Sequence, residues 1–219
     1  MTRSLVRVLL AFDTATPAVT VALHDGERVV AALTRVDAMR HGELLAPGIA
    51  AVLEDAGIVR QDLTAVAVGV GPGPFTGLRV GLVTARTLGL ALEVPVYGVC
   101  TLDVLAVQAH DEGLVQEPFV VATDARRKEV YWASYDEAGR RLDGPRVDRP
   151  PEVATDRPVV GAGALLYPDS FGRPVGPTHP DAGWLAQVVT DERAELVDPE
   201  PLYLRRPDAA APGRPKPVS

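Results

Sequence analysis

Two aspartates, Asp13 and Asp124, each close an apolar run that reads as a buried strand: Val8-Leu9-Leu10-Ala11-Phe12 before the first, Phe119-Val120-Val121-Ala122-Thr123 before the second. A carboxylate at a strand end in each of two lobes, facing a shared cleft, is a way to hold Mg²⁺ and a nucleotide. Thr14 beside Asp13, with the glycine turns at Gly71 and Gly73 and at Gly161 and Gly163, would complete such a cleft, now vestigial, by offering backbone N–H groups to phosphates. The competing reading is local: each aspartate caps its own loop through nearby amides. For Asp124, beside Arg126, Arg127 and Lys128, a cap or ion pair is the nearer reading. The basic trio reads as a solvated face before it reads as an anion site.

Other chemistries find little support. His24, His41, His110 and His179 are scattered, and none has a second ligand at zinc spacing. There is no Gly-x-Ser-x-Gly elbow, and Cys100 ends an apolar run with no obvious histidine base, so it reads as core. The stretch Gly69-Val70-Gly71-Pro72-Gly73-Pro74-Phe75-Thr76-Gly77-Leu78-Arg79 lacks the Gly-Lys-Ser/Thr of a Walker loop, and Gly77 falls one place late for a dinucleotide fingerprint. Taken alone it is a tight connector that lets a helix pack closely, with Thr76 placed to cap that helix. No metal or cofactor is expected. Glycine turns without a catalytic cluster read as a binding or scaffolding subunit.

The chain has 219 residues, enough for one large domain or two lobes, and 47% are hydrophobic, which excludes wholesale disorder. A net charge of −7 argues against tight nucleic-acid binding by the chain alone. The lone cysteine permits no internal disulfide, which suits a reducing cytoplasm. The apolar run before Asp13 is too short for a signal peptide, and no uncharged run approaches the ~20 residues of a membrane helix.

Periodicity predicts strands at 5–12, 18–24, 27–35, 65–70 and 94–99 and helices at 42–56, 78–92 and 101–110. A second half follows: strands at 119–123 and 130–135, a loop over 143–158, a short strand and glycine turn over 159–164, and a helix within 180–190. Leu202-Tyr203-Leu204 reads as an apolar anchor, and the tail from Pro207 as disordered. Asp13 and Asp124 stand 111 positions apart (124 − 13), as do Asp25 and Asp136 (136 − 25); Val19 with Val130 and Ala22 with Ala133 keep the offset. This is a degenerate internal duplication with a reduced second copy. The expected division is a lobe over 1–110, a smaller one over 111–206 and the tail over 207–219.

The helix at 78–92 is apolar nearly all round, and Gly81, Ala85 and Gly89 form one small-residue stripe. Such a stripe lets another element come unusually close. Two readings stand: packing inside its own lobe, or contact with a helix of a second chain.

Four stretches together resemble the TsaB (YeaZ) family: Phe12-Asp13-Thr14, His41-Gly42-Glu43-Leu44-Leu45-Ala46-Pro47, Gly69 to Arg79, and Pro201-Leu202-Tyr203-Leu204-Arg205. The resemblance implies an α/β fold of the actin-like ATPase and sugar-kinase type (ASKHA), with two RNase H-like lobes of mixed sheets flanked by helices. It implies a non-catalytic, cytoplasmic subunit of bacterial tRNA threonylcarbamoyladenosine (t6A) synthesis. The catalytic paralogue, TsaD, carries a His-x-x-x-His metal pair; the matching positions here are Thr101 and Leu105, and neither binds a metal. The resemblance places the TsaD interface on the N-terminal lobe helices, at His41, Leu44, Leu45, Gly81, Ala85 and Gly89. It adds a small ATPase, TsaE, leaves a homodimer open when the partner is absent, and brings tRNA only through the complex. The alternative on the same fold is an ATP-dependent small-molecule kinase, which needs a working Mg²⁺–nucleotide cleft at Asp13.

Overall fold

The computed structural model describes residues 8–205. Its first sheet grows from β1 (Leu9–Asp13), which is buried along its whole length. β1 pairs antiparallel with β2 (Ala18–His24), and β2 with β3 (Val29–Val36). On the other side of β1, the strands β4 (Ala65–Gly69) and β5 (Val96–Val99) add in parallel. Parallel neighbours need a crossover, and α2 (Phe75–Leu92) supplies it between β4 and β5, while α1 (His41–Ala56) leads into β4. Alternation along the strands splits the apolar residues between two faces. Leu10, Phe12, Val21, Val66 and Val68 meet Leu45, Ile49, Leu78 and Leu82 of α1 and α2; Leu9, Ala11, Ala65 and Ala67 face the opposite way.

One local expectation changes. α2 begins at Phe75 with Pro74 as its N-cap, so Thr76 lies inside the first turn and caps nothing. Pro47 sits in the second turn of α1 without ending the helix, and Gly57 closes α1 at φ 64°.

The second sheet repeats the first. β6 (Phe119–Asp124), β7 (Val130–Tyr135) and β8 (Arg141–Asp148) form the antiparallel meander, and β9 (Val159–Val160) and β10 (Pro174–Val175) add in parallel beyond β6. The order β10-β9-β6-β7-β8 reproduces β5-β4-β1-β2-β3. α4 (Ala162–Leu166) takes the place of α2, while α1 has only a 3₁₀ turn at Pro150–Glu152 in its place. β8 overturns the expected loop from 143: Gly144 and Pro145 are accommodated at an irregular, outer strand that pairs on one side only.

α3 (Thr101–Asp111) lies between the lobes: Val104 and Val107 pack against the first, Leu102, Leu105, Ala106 and Ala109 against the second. The chain then returns. α5 (Ala182–Thr190) covers the open face of the first sheet, with the Ala182 amide donating to Thr20 Oγ1 at 2.9 Å, and β11 (Leu196–Val197) pairs with β5. Assignment of everything after residue 110 to the second lobe therefore does not hold: residues 182–197 are part of the first. The tail over 207–219 and residues 5–7 of the first expected strand lie outside the described residues.

Candidate functional site

Asp13 is fully buried at the end of β1. Its Oδ1 accepts from the Ala15 amide at 2.7 Å and its Oδ2 from Thr101 Oγ1 at 2.7 Å. The Thr101 hydroxyl accepts in turn from the Gly71 amide at 3.2 Å, and the Thr101 amide donates to the Gly71 carbonyl at 2.8 Å. A Cβ on Gly69 would collide with the Asp13 carboxylate, and one on Gly73 with the Ala15 carbonyl, so the loop closes flush on β1 because these residues are glycines. Burial pushes the Asp13 carboxyl above its ordinary value of 3.8, while the Ala15 and Thr101 hydrogen bonds pull it back. The carboxylate expected at a nucleotide cleft is thus sealed into a structural node, with Gly71 beside it.

Thr14 is also enclosed. Its hydroxyl donates to the Gly77 carbonyl at 2.8 Å and accepts from the Gly81 amide at 3.1 Å, bolting α2 onto β1. Gly81 and Gly89 are where α2 rides closest on its own lobe: a Cβ at 81 would meet Thr14 Oγ1, and one at 89 would meet the Val96 side chain. Ala85 between them is 0% exposed. The stripe is therefore internal packing, which corrects its placement at a surface. His41 and Leu45 are buried as well, His41 donating from Nε2 to the Thr16 carbonyl at 2.8 Å, and Leu44 is half-buried against the same core. The open face of α2 lies on the far side of the helix from the stripe: Val83 and Leu90 are 63% and 84% exposed, with Arg79 and Arg86 exposed beside them. Gly42, Ala46 and Ala50 are exposed on the neighbouring α1.

Asp124 repeats the Asp13 turn: its Oδ1 accepts from the Arg126 amide at 2.7 Å, two residues on. Gly161 and Gly163 press α4 against the Ala122 backbone, as the first glycine loop presses on Ala15. Asp124 faces a cleft of about 320 Å³ that is walled mainly by apolar groups, including Pro17, Leu165 and Leu166. Of the expected cleft residues only Asp124 opens onto it; Asp13 and Thr14 are held away. Arg126, Arg127 and Lys128 follow at φ 61°, 56° and 61°, three left-handed residues in a row on an exposed turn. Among the described residues no three His, Cys, Asp or Glu side chains form a group able to hold a metal ion. Thr101 and Leu105 are both 0% exposed.

A strap from Glu200 to Arg205 crosses the mouth between the lobes. Tyr203 stacks on Phe75 with centroids 4.3 Å apart, and Arg79 sits over Phe75 at 4.1 Å while donating to the Tyr203 hydroxyl at 3.0 Å. The Leu202 amide donates to the Val70 carbonyl at 2.9 Å, and Arg205 reaches the Ala125 carbonyl at 2.8 Å in the second lobe. Sequence reading found the anchor at 202–204 but not its partners; Phe75, an aromatic within the glycine stretch, was the available signal.

Duplicated mixed sheets joined by a buried helix, with the strand-end carboxylate sealed rather than presented, define a two-lobed ASKHA-type protein. The model of the family described as TsaD, tRNA N6-adenosine threonylcarbamoyltransferase, matches residues 35–161. The tRNA threonylcarbamoyladenosine biosynthesis protein TsaB of Escherichia coli is 32% identical over 221 residues, covering 90% of this chain and 94% of that one. An uncharacterized protein of Mycobacterium tuberculosis is 46% identical over 95% of this chain and 97% of its own length. The solved structure of YeaZ from Pseudomonas aeruginosa superposes with a TM-score of 0.75 at 31% identity, covering 90% of this chain and 99% of that one. The chain belongs to the TsaB (YeaZ) family. No helix among the described residues is long and apolar enough to cross a membrane.

Proposed function

We propose that this chain is the non-catalytic subunit of a bacterial t6A-synthesis complex, acting in the cytoplasm by holding a TsaD-type paralogue that transfers threonylcarbamoyl to tRNA. The observation that carries the reading is the Asp13 node. A kinase of this fold needs that carboxylate open to Mg²⁺ and nucleotide; here it is 0% exposed and bonded to Thr101 and Ala15. The positions matching the paralogue's metal pair, Thr101 and Leu105, serve the core instead. For the partner surface, the candidates are the open faces of α1 and α2, where Val83 and Leu90 leave large apolar side chains in solvent beside the small Ala46 and Ala50. TsaE joins the assembly, and the same faces serve a homodimer when TsaD is absent. The test is threonylcarbamoylation of tRNA by purified TsaD, TsaE and donor, with and without this chain. Activity only on its addition, and none from the chain alone, is expected. Equal activity without it would overturn the reading.

A further inference from the structure

Between the start of α2, the β6–β7 turn and the strap runs a groove of about 480 Å³, lined among others by Phe75, Arg126, Arg127, Tyr131, Tyr203 and Arg205. Among the described residues no carboxylate lines it, although the chain carries a net charge of −7. The three guanidinium groups come from segments about 80 residues apart, so the fold has gathered them. Arg126 lies 3.5 Å from Asp124 and Arg205 pairs with Glu129; both carboxylates stand outside the lining and orient the arginines without filling the groove. Lys128, exposed on the same turn, adds a further cation to it.

The aromatic side is equally built. Tyr203 is 36% exposed and is backed by Phe75 in a near-parallel stack, 6° between planes, with Arg79 over Phe75. A ring held rigid beside a cluster of arginines is what single-stranded nucleic acid uses: the base stacks, and the phosphates meet the cations. An acidic peptide would use the cations and leave the aromatic platform idle. The groove is of nucleotide size, far too small for a duplex.

We infer that this groove binds a single-stranded segment of the substrate RNA directly, so that the chain contributes an RNA contact of its own. The choice of tRNA as the natural source rests on the t6A reading; the chemistry of the groove does not.

The experiment uses the full chain and a labelled ten-nucleotide single-stranded RNA, followed by fluorescence anisotropy across a salt series. Binding in the ~1–100 µM range at low salt is expected, the strength of a non-specific phosphate contact. The double variant Arg126→Gln/Arg127→Gln, on an exposed turn, should weaken it about 10-fold or more. It should also lower the slope of log K against log salt by about 1.4, at ~0.7 per single-strand contact. Tyr203→Ala should cost about 5- to 150-fold, the worth of one stacked base, and Tyr203→Phe should bind as the parent does. No binding at low salt, unchanged affinity and slope in the arginine variant, or tighter binding of a polyglutamate peptide overturns the inference. Capture of TsaD by the same variants separates the two readings. RNA binding retained without TsaD capture sinks the subunit assignment alone; TsaD capture with no RNA binding sinks the groove alone.

Discussion

Asp13 and Thr101, 88 positions apart, share a 2.7 Å hydrogen bond that ties the end of β1 to the start of α3. Through the same hydroxyl the Gly71 amide is held at 3.2 Å, so one threonine joins the central strand, the glycine loop and the helix between the lobes. In a buried site, removing one partner leaves the other's desolvation uncompensated.

Thr101→Val keeps the shape of the side chain and deletes its donor and acceptor. It should cost about 2–3 kcal/mol in urea unfolding, the scale of a hydrogen bond to a charged group plus a stranded amide. Thr101→Ser restores the hydroxyl and should recover most of that. If Val and Ser cost the same, the hydroxyl is not what holds the node.

The same node gives a pH signature. Burial raises the Asp13 carboxyl above 3.8, its ordinary value, so the unfolded chain loses this proton first. Across the window from 3.8 up to the raised folded value, the folded state binds more protons and stability falls as pH rises. Below 3.8 that contribution is complete. Asp13→Asn removes the slope while losing one acceptor. Its deficit relative to the parent should be largest below pH 3.8 and shrink as pH climbs through the window. Asp103, also raised by burial, titrates in both proteins and cancels on subtraction. A deficit that grows with pH would mean the carboxylate is stabilised, not penalised, in the fold.

The first lobe was legible because each of its strands is an apolar run bounded by turn residues, and the 111-residue offset revealed its copy. That offset maps β3 onto residues 140–147, so the duplication itself pointed to β8; Gly144, Pro145 and the charges of 141–148 hid it. The return of α5 and β11 to the first sheet left no local signal, since strand neighbours far apart in sequence are set by tertiary pairing. The stripe on α2 was visible, but periodicity names the residues on one face and not what covers them. Thr14, just past the end of β1, and Val96 of β5, which do cover it, lie outside the helix. Asp13 was visible as a carboxylate at a strand end; that Thr101 seals it required the path of α3.

The direction of α2 yields a paired test of the partner surface. Ala85→Arg puts a charge at a 0% exposed site and should unfold the chain outright, seen as lost near-UV dichroism. Val83→Asp and Leu90→Asp, on the open face, should stay within about 1 kcal/mol of the parent in stability. Each should weaken TsaD capture by at least ~10-fold, as truncating a central apolar anchor does. Folded variants that still bind TsaD at parental affinity would move the interface elsewhere on the lobe.

The strap makes the last case, because it is bonded to both lobes. Leu202 packs against the first-lobe core and the second-lobe core together, while Arg205 bonds Ala125 and Tyr203 stacks on Phe75. Leu202→Ala removes the apolar wedge and leaves the flanking contacts. The expected loss is about 1–2 kcal/mol, below the full cost of a core leucine because this one is only half-buried. The more telling readout is local. Amide exchange at Val70 and Gly71, next to the Leu202 amide bond, should accelerate well before exchange in β2 or β6. Uniform acceleration throughout would mean that Leu202 supports the whole fold equally, and the strap would lose its standing as a latch between lobes.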